Sequence, residues 1–81
     1  MNELSKLRQH IDEIDGKLMP LLARRMELSK EIAEYKAKED IPVLDEQRER
    51  EILEKAESFG EEIKTVYLSV LEASRKVQNN K

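Results

Sequence analysis

Polar side chains interrupt the apolar stripes of this sequence at positions that could serve a binding site. Arg25 lies between Leu21 and Leu28 in a repeating apolar pattern, and Lys36 follows eleven residues later. Eleven residues make about three helical turns, so both cations fall on nearly the same helix face. Burying a guanidinium is costly unless a carboxylate or phosphate pairs with it. An anionic ligand would therefore account for Arg25.

A second set of polar residues lies in the C-terminal half of the chain. Ser74 and Gln78 are one helical turn apart within an apolar stripe. Asp45, Arg48 and Glu49 cluster where a second helix begins. With the two cations, this set offers an amide, a hydroxyl and two acids. Such a mixture suits a small polyanion that has a hydroxyl group or an ether oxygen.

Each of these residues also has a purely structural interpretation. Arg25 would belong to a structural ion pair or extend its charged end to solvent. Lys36 and Gln78 would be solvated helix ends, and Ser74 a small core residue. Asp45 would be only a helix cap, followed by an exposed charged turn. The convergence of all of them at the margin of one core favours the binding site.

Composition excludes several classes of protein. The chain has 81 residues, 41% of them charged and 38% hydrophobic, which allows one small domain. A net charge of −3 with interspersed signs argues against a nucleic-acid partner. No cysteine and one histidine argue against a disulfide framework or a zinc site, so we expect no metal and no cofactor. Without a long apolar run or a secretory signal, we expect a cytoplasmic protein with no membrane partner.

The first half of the chain predicts one long helix. Its apolar residues step by alternating threes and fours, which is the seven-residue repeat of a coiled-coil seam. The predicted helix covers residues 4–37, kinked at Pro20; the alternative is two helices broken before Pro20. The seam positions other than Arg25 are Leu4, Leu7, Ile11, Ile14, Leu18, Leu21, Leu28, Ile32 and Tyr35.

The second half predicts two shorter helices. A loop over residues 38–44 precedes a helix over 45–59, with Asp45 as its N-cap and Gly60 at its end. A third helix is predicted over residues 61–78, with a frayed tail at 79–81. The fold class is therefore all-α, with three helices in a single domain over residues 1–81.

The length of the first helix predicts a homodimer. It would be about 50 Å long, whereas a compact domain of this size has a radius of gyration near 12 Å. Because its seam is apolar throughout, a second copy of the chain would cover the overhang. Arg8 is seventeen residues from Arg25, or about 25 Å along the axis. With antiparallel long helices, Arg8 of one chain would approach Arg25 of the other.

The sequence resembles the all-helical class of chorismate mutases over nearly its whole length. Five spaced segments show the resemblance: Leu7-Arg8 with residues 11–15, residues 21–28, residues 32–36, residues 42–49 and residues 72–78. The resemblance implies an intertwined three-helix homodimer with two active sites, each completed by an arginine from the partner chain.

The resemblance also implies a role for each candidate residue. Arg8, from the partner chain, and Arg25 would bind the substrate carboxylates. Lys36 and Gln78 would hydrogen-bond the ether oxygen of the bond that breaks. Asp45 and Glu49 would receive the ring hydroxyl, Asp45 through its side chain or its backbone. The residues that would complete the polar lining are Arg48 and Ser74.

The implied activity is the rearrangement of chorismate to prephenate in phenylalanine and tyrosine biosynthesis, by electrostatic and conformational stabilisation without covalent catalysis. One alternative is an isochorismate pyruvate-lyase on the same fold, against which the acid at Glu49 argues. Another is a non-catalytic helical dimerisation or regulatory module. Such a module would gain nothing from an unpaired Arg25 on its seam.

Overall fold

Three α-helices make up the described part of the chain. The computed structural model describes residues 2–79, in which α1 spans Glu3–Lys38, α2 spans Glu46–Glu57 and α3 spans Glu61–Asn79. Residues 2–79 contain no β-strand. The predicted all-α class, with one long and two shorter helices, is confirmed. Of the predicted frayed tail, Asn79 is helical, and residues 80 and 81 lie outside the described part.

Helix α1 is continuous over 36 residues. The Asn2 side chain caps it by accepting a hydrogen bond from the Ser5 amide at 2.7 Å. Pro20 lies inside the helix, so the alternative of two helices broken before this residue is wrong. The longest dimension of the molecule is 56 Å. Since 36 residues rise about 54 Å, α1 alone spans the molecule.

A tight turn ends α1 and reverses the chain. The Ile41 amide donates to the Lys36 carbonyl at 2.8 Å, and Asp40 has a positive φ of 56°. This is the six-to-one bond of a Schellman ending, in which one residue adopts the left-handed conformation. Aspartate tolerates that conformation better than most residues. After the turn, the loop contacts the end of α1 again, where the Val43 carbonyl accepts a hydrogen bond from Lys36.

Helix α2 is capped at both ends by groups that the sequence supplies locally. The Asp45 carboxylate accepts a hydrogen bond from the Arg48 amide at 3.0 Å, as an N-cap residue does. The helix ends at Glu57, two residues before the predicted end at Phe59. There the Phe59 amide donates to the Ala56 carbonyl three residues earlier, and this tighter 3₁₀-type hydrogen bond ends the helix. Gly60 follows with a φ of 131°, which favours glycine.

The single chain has a small core. Helix α3 packs against both α1 and α2. The buried side chains in the described part are Ser29, Ala56, Val70, Leu71 and Ser74. The apolar seam of α1 is left open: nine of its side chains are between 42% and 67% exposed, namely Leu4, Leu7, Ile11, Ile14, Leu18, Leu21, Leu28, Ile32 and Tyr35. None of the described helices is both long and apolar enough to cross a membrane.

Candidate active site

Most of the polar residues predicted from the sequence as site residues line one cavity. It has a volume of about 380 Å³ and lies where the second half of α1, the following loop, the start of α2 and the end of α3 meet. Its apolar wall includes Leu28, Ile32, Val43, Ile52 and Leu71. Seven of the eight predicted site residues line it: Arg25, Lys36, Asp45, Arg48, Glu49, Ser74 and Gln78.

Helix periodicity explains why α1 and α3 present these groups together. Arg25 and Lys36 are eleven residues apart, which is about three turns and 16 Å along one face of α1. Ser74 and Gln78 are four residues apart, which places them on the same face of α3. Because α3 packs against α1, the two polar faces meet across the cavity.

The Arg25 guanidinium is held by a hydrogen bond between two helices. Its Nη1 donates to the Ser74 Oγ, and Ser74 is only 6% exposed. The bond uses one of the five guanidinium N–H donors. Arg25 is therefore oriented by α3, and its remaining donors are available for an anion in the cavity.

The Lys36 ammonium is anchored by the loop that follows α1. Its Nζ donates to the Val43 carbonyl at 2.7 Å. An ammonium has three donors, so two remain for other partners. The loop thus fixes the position of this charge without neutralising it, because a carbonyl has no net charge.

Glu49 is the most strongly paired acid of the cavity. Arg75 donates from Nη1 to both Glu49 carboxylate oxygens, each at 2.6 Å. Glu49 lies in the first turn of α2, where a negative charge is also favoured by the helix dipole. Asp45, the other acid, accepts the Arg48 amide as the N-cap of the same helix. Both acids are thereby held at the start of α2.

The Gln78 amide has an unused hydrogen-bonding atom. Its Oε1 is buried and has no hydrogen-bond partner within residues 2–79. Leaving a buried polar atom unpaired costs about 1–3 kcal/mol. A ligand in the cavity would give the amide a partner, and rotation of the amide by 180° would present its NH₂ group instead.

The cavity has a net positive charge. Four cationic side chains line it (Arg25, Lys36, Arg48 and Arg75), against two carboxylates (Asp45 and Glu49), so the formal charge is +2. The groups surround a partly apolar space, where charges interact more strongly than in water. The arrangement suits a small dianion with additional hydroxyl or ether oxygens.

Arg8 is the one predicted site residue that does not line this cavity. It is exposed on the first half of α1, seventeen residues from Arg25. The intervening helix separates the two residues by about 25 Å. Within one chain they cannot bind the same small molecule.

Two further residues, Arg75 and Ser29, line the cavity although they were not predicted as site residues from the sequence. Arg75 directly follows Ser74 and lies three residues before Gln78, which places it at the edge of the same stripe. This position beside Ser74 and Gln78 is the feature of the sequence from which Arg75 could have been predicted as a site residue. Its partner Glu49 is 26 residues away, and no spacing rule connects them.

Comparison with known proteins identifies the family. The family model for chorismate mutase type II matches residues 7–79. The chain is 43% identical over 63 residues to the bifunctional chorismate mutase/prephenate dehydratase of Aquifex aeolicus, covering 78% of this chain and 17% of that protein. It is 37% identical over 62 residues to the chorismate mutase of Methanocaldococcus jannaschii, covering 76% of this chain and 63% of that protein. The matched part is thus less than two thirds of either relative.

A solved structure has the same fold. It is a conserved hypothetical protein from Pyrococcus furiosus, which superposes with a TM-score of 0.87 at 33% sequence identity. The match covers 96% of this chain and 97% of that one. Because the family model extends over almost all of α1, α2 and α3, this chain belongs to the chorismate mutase type II family.

Proposed function

We propose that this chain catalyses the rearrangement of chorismate to prephenate. The observation that best supports the proposal is the cavity with a net charge of +2, in which seven polar residues selected from the sequence lie together. Chorismate is a dianion that also has a ring hydroxyl and an ether oxygen. The cavity volume of about 380 Å³ is within the usual range for small-molecule sites.

The reaction needs no proton transfer and no nucleophile. It is a concerted [3,3] shift in which one C–O bond breaks as one C–C bond forms. Catalysis therefore consists of holding the flexible dianion in its compact reactive shape and stabilising charge on the ether oxygen. Arg25 binds one carboxylate, with its guanidinium oriented by Ser74. The anchored Lys36 ammonium and the Gln78 amide act on the ether oxygen.

The remaining residues orient the ring. Glu49 accepts the hydrogen bond that the ring hydroxyl donates. The Asp45 carboxylate already caps α2, so Asp45 contributes its backbone amide, which donates to the hydroxyl oxygen. Arg48, in the first turn of α2, completes the cationic lining. This use of Glu49 as an acceptor disfavours the alternative lyase activity.

A homodimer is part of the proposal. The nine seam side chains that the single chain leaves 42–67% exposed would be covered by a second copy of α1. With the two α1 helices antiparallel, Arg8 of the partner subunit would reach the cavity that Arg25 lines. Its guanidinium would bind the second carboxylate of chorismate.

The biological setting is proposed on the same basis. Prephenate is the substrate named in the second activity of the Aquifex aeolicus relative, which supports a role in phenylalanine and tyrosine biosynthesis. The expected cytoplasmic location belongs to this proposal as well.

The test is the loss of chorismate absorbance with the purified protein. We expect wild-type turnover with prephenate as product, and a loss of at least about a hundredfold in kcat/KM for Lys36→Ala, because an oriented donor at the ether oxygen is removed. Lys38→Ala, two residues away on α1, does not line the cavity and is the matched control. We expect its kcat/KM to stay within about twofold of wild type.

Absence of prephenate with the wild-type protein would refute the proposed activity. Equal activity of Lys36→Ala and Lys38→Ala would refute the role of Lys36. A parallel reaction with isochorismate, followed by detection of salicylate and pyruvate, tests the lyase alternative directly.

A further inference from the structure

A close ion pair joins α2 to α3 inside the proposed site. Arg75 Nη1 donates to both Glu49 oxygens at 2.6 Å, and the two side chains are 36% and 23% exposed. A single nitrogen therefore bridges the two oxygens. A carboxylate has about four lone-pair positions, so this contact leaves others on each oxygen for a second donor.

An acid in this cavity creates an electrostatic problem. If the substrate is a dianion, each carboxylate lining the cavity repels it in a partly apolar space. Asp45 is stabilised by the Arg48 amide at the N-terminus of α2. Glu49 is compensated by Arg75. Without the charge of Arg75 the formal charge of the cavity would fall from +2 to +1.

We propose that Arg75 is a positioning residue for Glu49. It neutralises the Glu49 carboxylate and fixes its orientation, so that the cavity accepts a dianion while Glu49 keeps an oxygen free to bind the substrate hydroxyl. This inference rests on the proposed function. It assigns Arg75 a role through Glu49, without contact between Arg75 and the substrate.

A merely structural clamp between α2 and α3 would have different consequences. Loss of a clamp would lower stability and disturb the whole cavity, so kcat and KM would change together. Loss of charge compensation weakens the binding of the dianion and of its transition state equally, which raises KM and leaves kcat nearly unchanged. The electrostatic effect also decreases with ionic strength, whereas a packing effect does not.

The experiment measures kcat and KM for chorismate in three variants of the full chain. Arg75→Gln removes the charge, and Arg75→Lys keeps it. Lys76→Gln is the matched control, because it makes the same charge change at the next residue of α3, whose side chain is 78% exposed.

We expect Arg75→Gln to raise KM about tenfold at low salt, with kcat within about threefold of wild type. At about 1 M salt, where the screening length is about 3 Å, the rise in KM should shrink to about threefold or less. KM should stay within about threefold of wild type in Arg75→Lys, whereas Lys76→Gln should match wild type throughout.

Two results would overturn the inference. One is an unchanged KM in Arg75→Gln; the other is a rise in KM that persists at about 1 M salt and in Arg75→Lys. If Arg75→Gln fails to fold, Arg75→Lys decides, because it keeps the charge, and its KM should stay within about threefold of wild type at low salt. A KM raised about tenfold or more in a folded Arg75→Lys protein would count against charge compensation. Wild-type protein that leaves chorismate unchanged would overturn the proposed function, and this inference with it.

Discussion

Active sites shared between two subunits would allow two inactive variants to restore each other. Arg8 and Arg25 are about 25 Å apart along α1, whereas a 380 Å³ cavity is equivalent to a sphere only about 9 Å across. A site that needs both residues must therefore take them from two chains. We expect Arg8→Ala and Arg25→Ala homodimers each to lose at least about a hundredfold in activity.

The expected recovery follows from counting sites. In a heterodimer of the two variants, one site has both arginines and the other has neither. Random one-to-one reassembly gives half heterodimers, so about a quarter of all sites are intact. Activity should rise from about 1% or less in each separate variant to about 25% of wild type in the mixture.

The assay mixes the two variants in denaturant, refolds them and follows loss of chorismate, with heterodimers isolated through two different affinity tags. The matched control mixes Arg25→Ala with Lys36→Ala. Both residues come from the same chain of each site, so no heterodimer has an intact site and no activity should return. Failure of Arg8→Ala and Arg25→Ala to recover activity in isolated heterodimers would refute the shared site.

Two further predictions test the proposed dimer and the fold. Ile14 lies on the α1 seam and is 62% exposed in the single chain, so Ile14→Glu should give a monomer in analytical ultracentrifugation and abolish turnover. Gln9→Glu, on the opposite face of α1, should do neither. A stable Ile14→Glu dimer would show that the seam is not the interface. Gly60→Ala should lower the free energy of unfolding by about 1–2 kcal/mol, since φ is 131° and the new Cβ would lie 2.9 Å from the Glu62 Oε2. In Gly16→Ala the new Cβ has nothing within 4 Å, so the free energy of unfolding should instead rise by about 0.5–1 kcal/mol. Urea unfolding that found Gly60→Ala more stable than Gly16→Ala would refute this reasoning.

The helices were predictable from the sequence to within a few residues. The heptad phase of α1 continues unbroken through Pro20, which is why one helix could be favoured over two. The end of α2 was less predictable, because Phe59 continues the apolar stripe although the chain has already turned. That turn depends on the hydrogen bond from the Phe59 amide to the Ala56 carbonyl and on the positive φ of Gly60. The spacing of apolar residues contains no information on either feature.

The residues that line the cavity were easier to predict from the sequence than the hydrogen bonds that these residues make. Polar interruptions of apolar stripes, such as Arg25 and Ser74, indicate which helix faces meet. The partners of those residues depend on tertiary geometry: Lys36 reaches the Val43 carbonyl only because the turn at Asp40 reverses the loop. For the same reason Arg75 could not be connected with Glu49 from spacing alone.

The proposed interface and the proposed active site would be linked through the composition of one seam. A coiled-coil seam is most stable when every position is apolar, and here position 25 is a cation instead. The Ser74 hydroxyl satisfies only one of the Arg25 donors. Burial of the seam in the proposed dimer would therefore cost stability at Arg25 unless the other donors find partners. An anionic ligand between the subunits would recover that energy, because it pairs with the remaining donors. Ligand binding and subunit association would then stabilise each other.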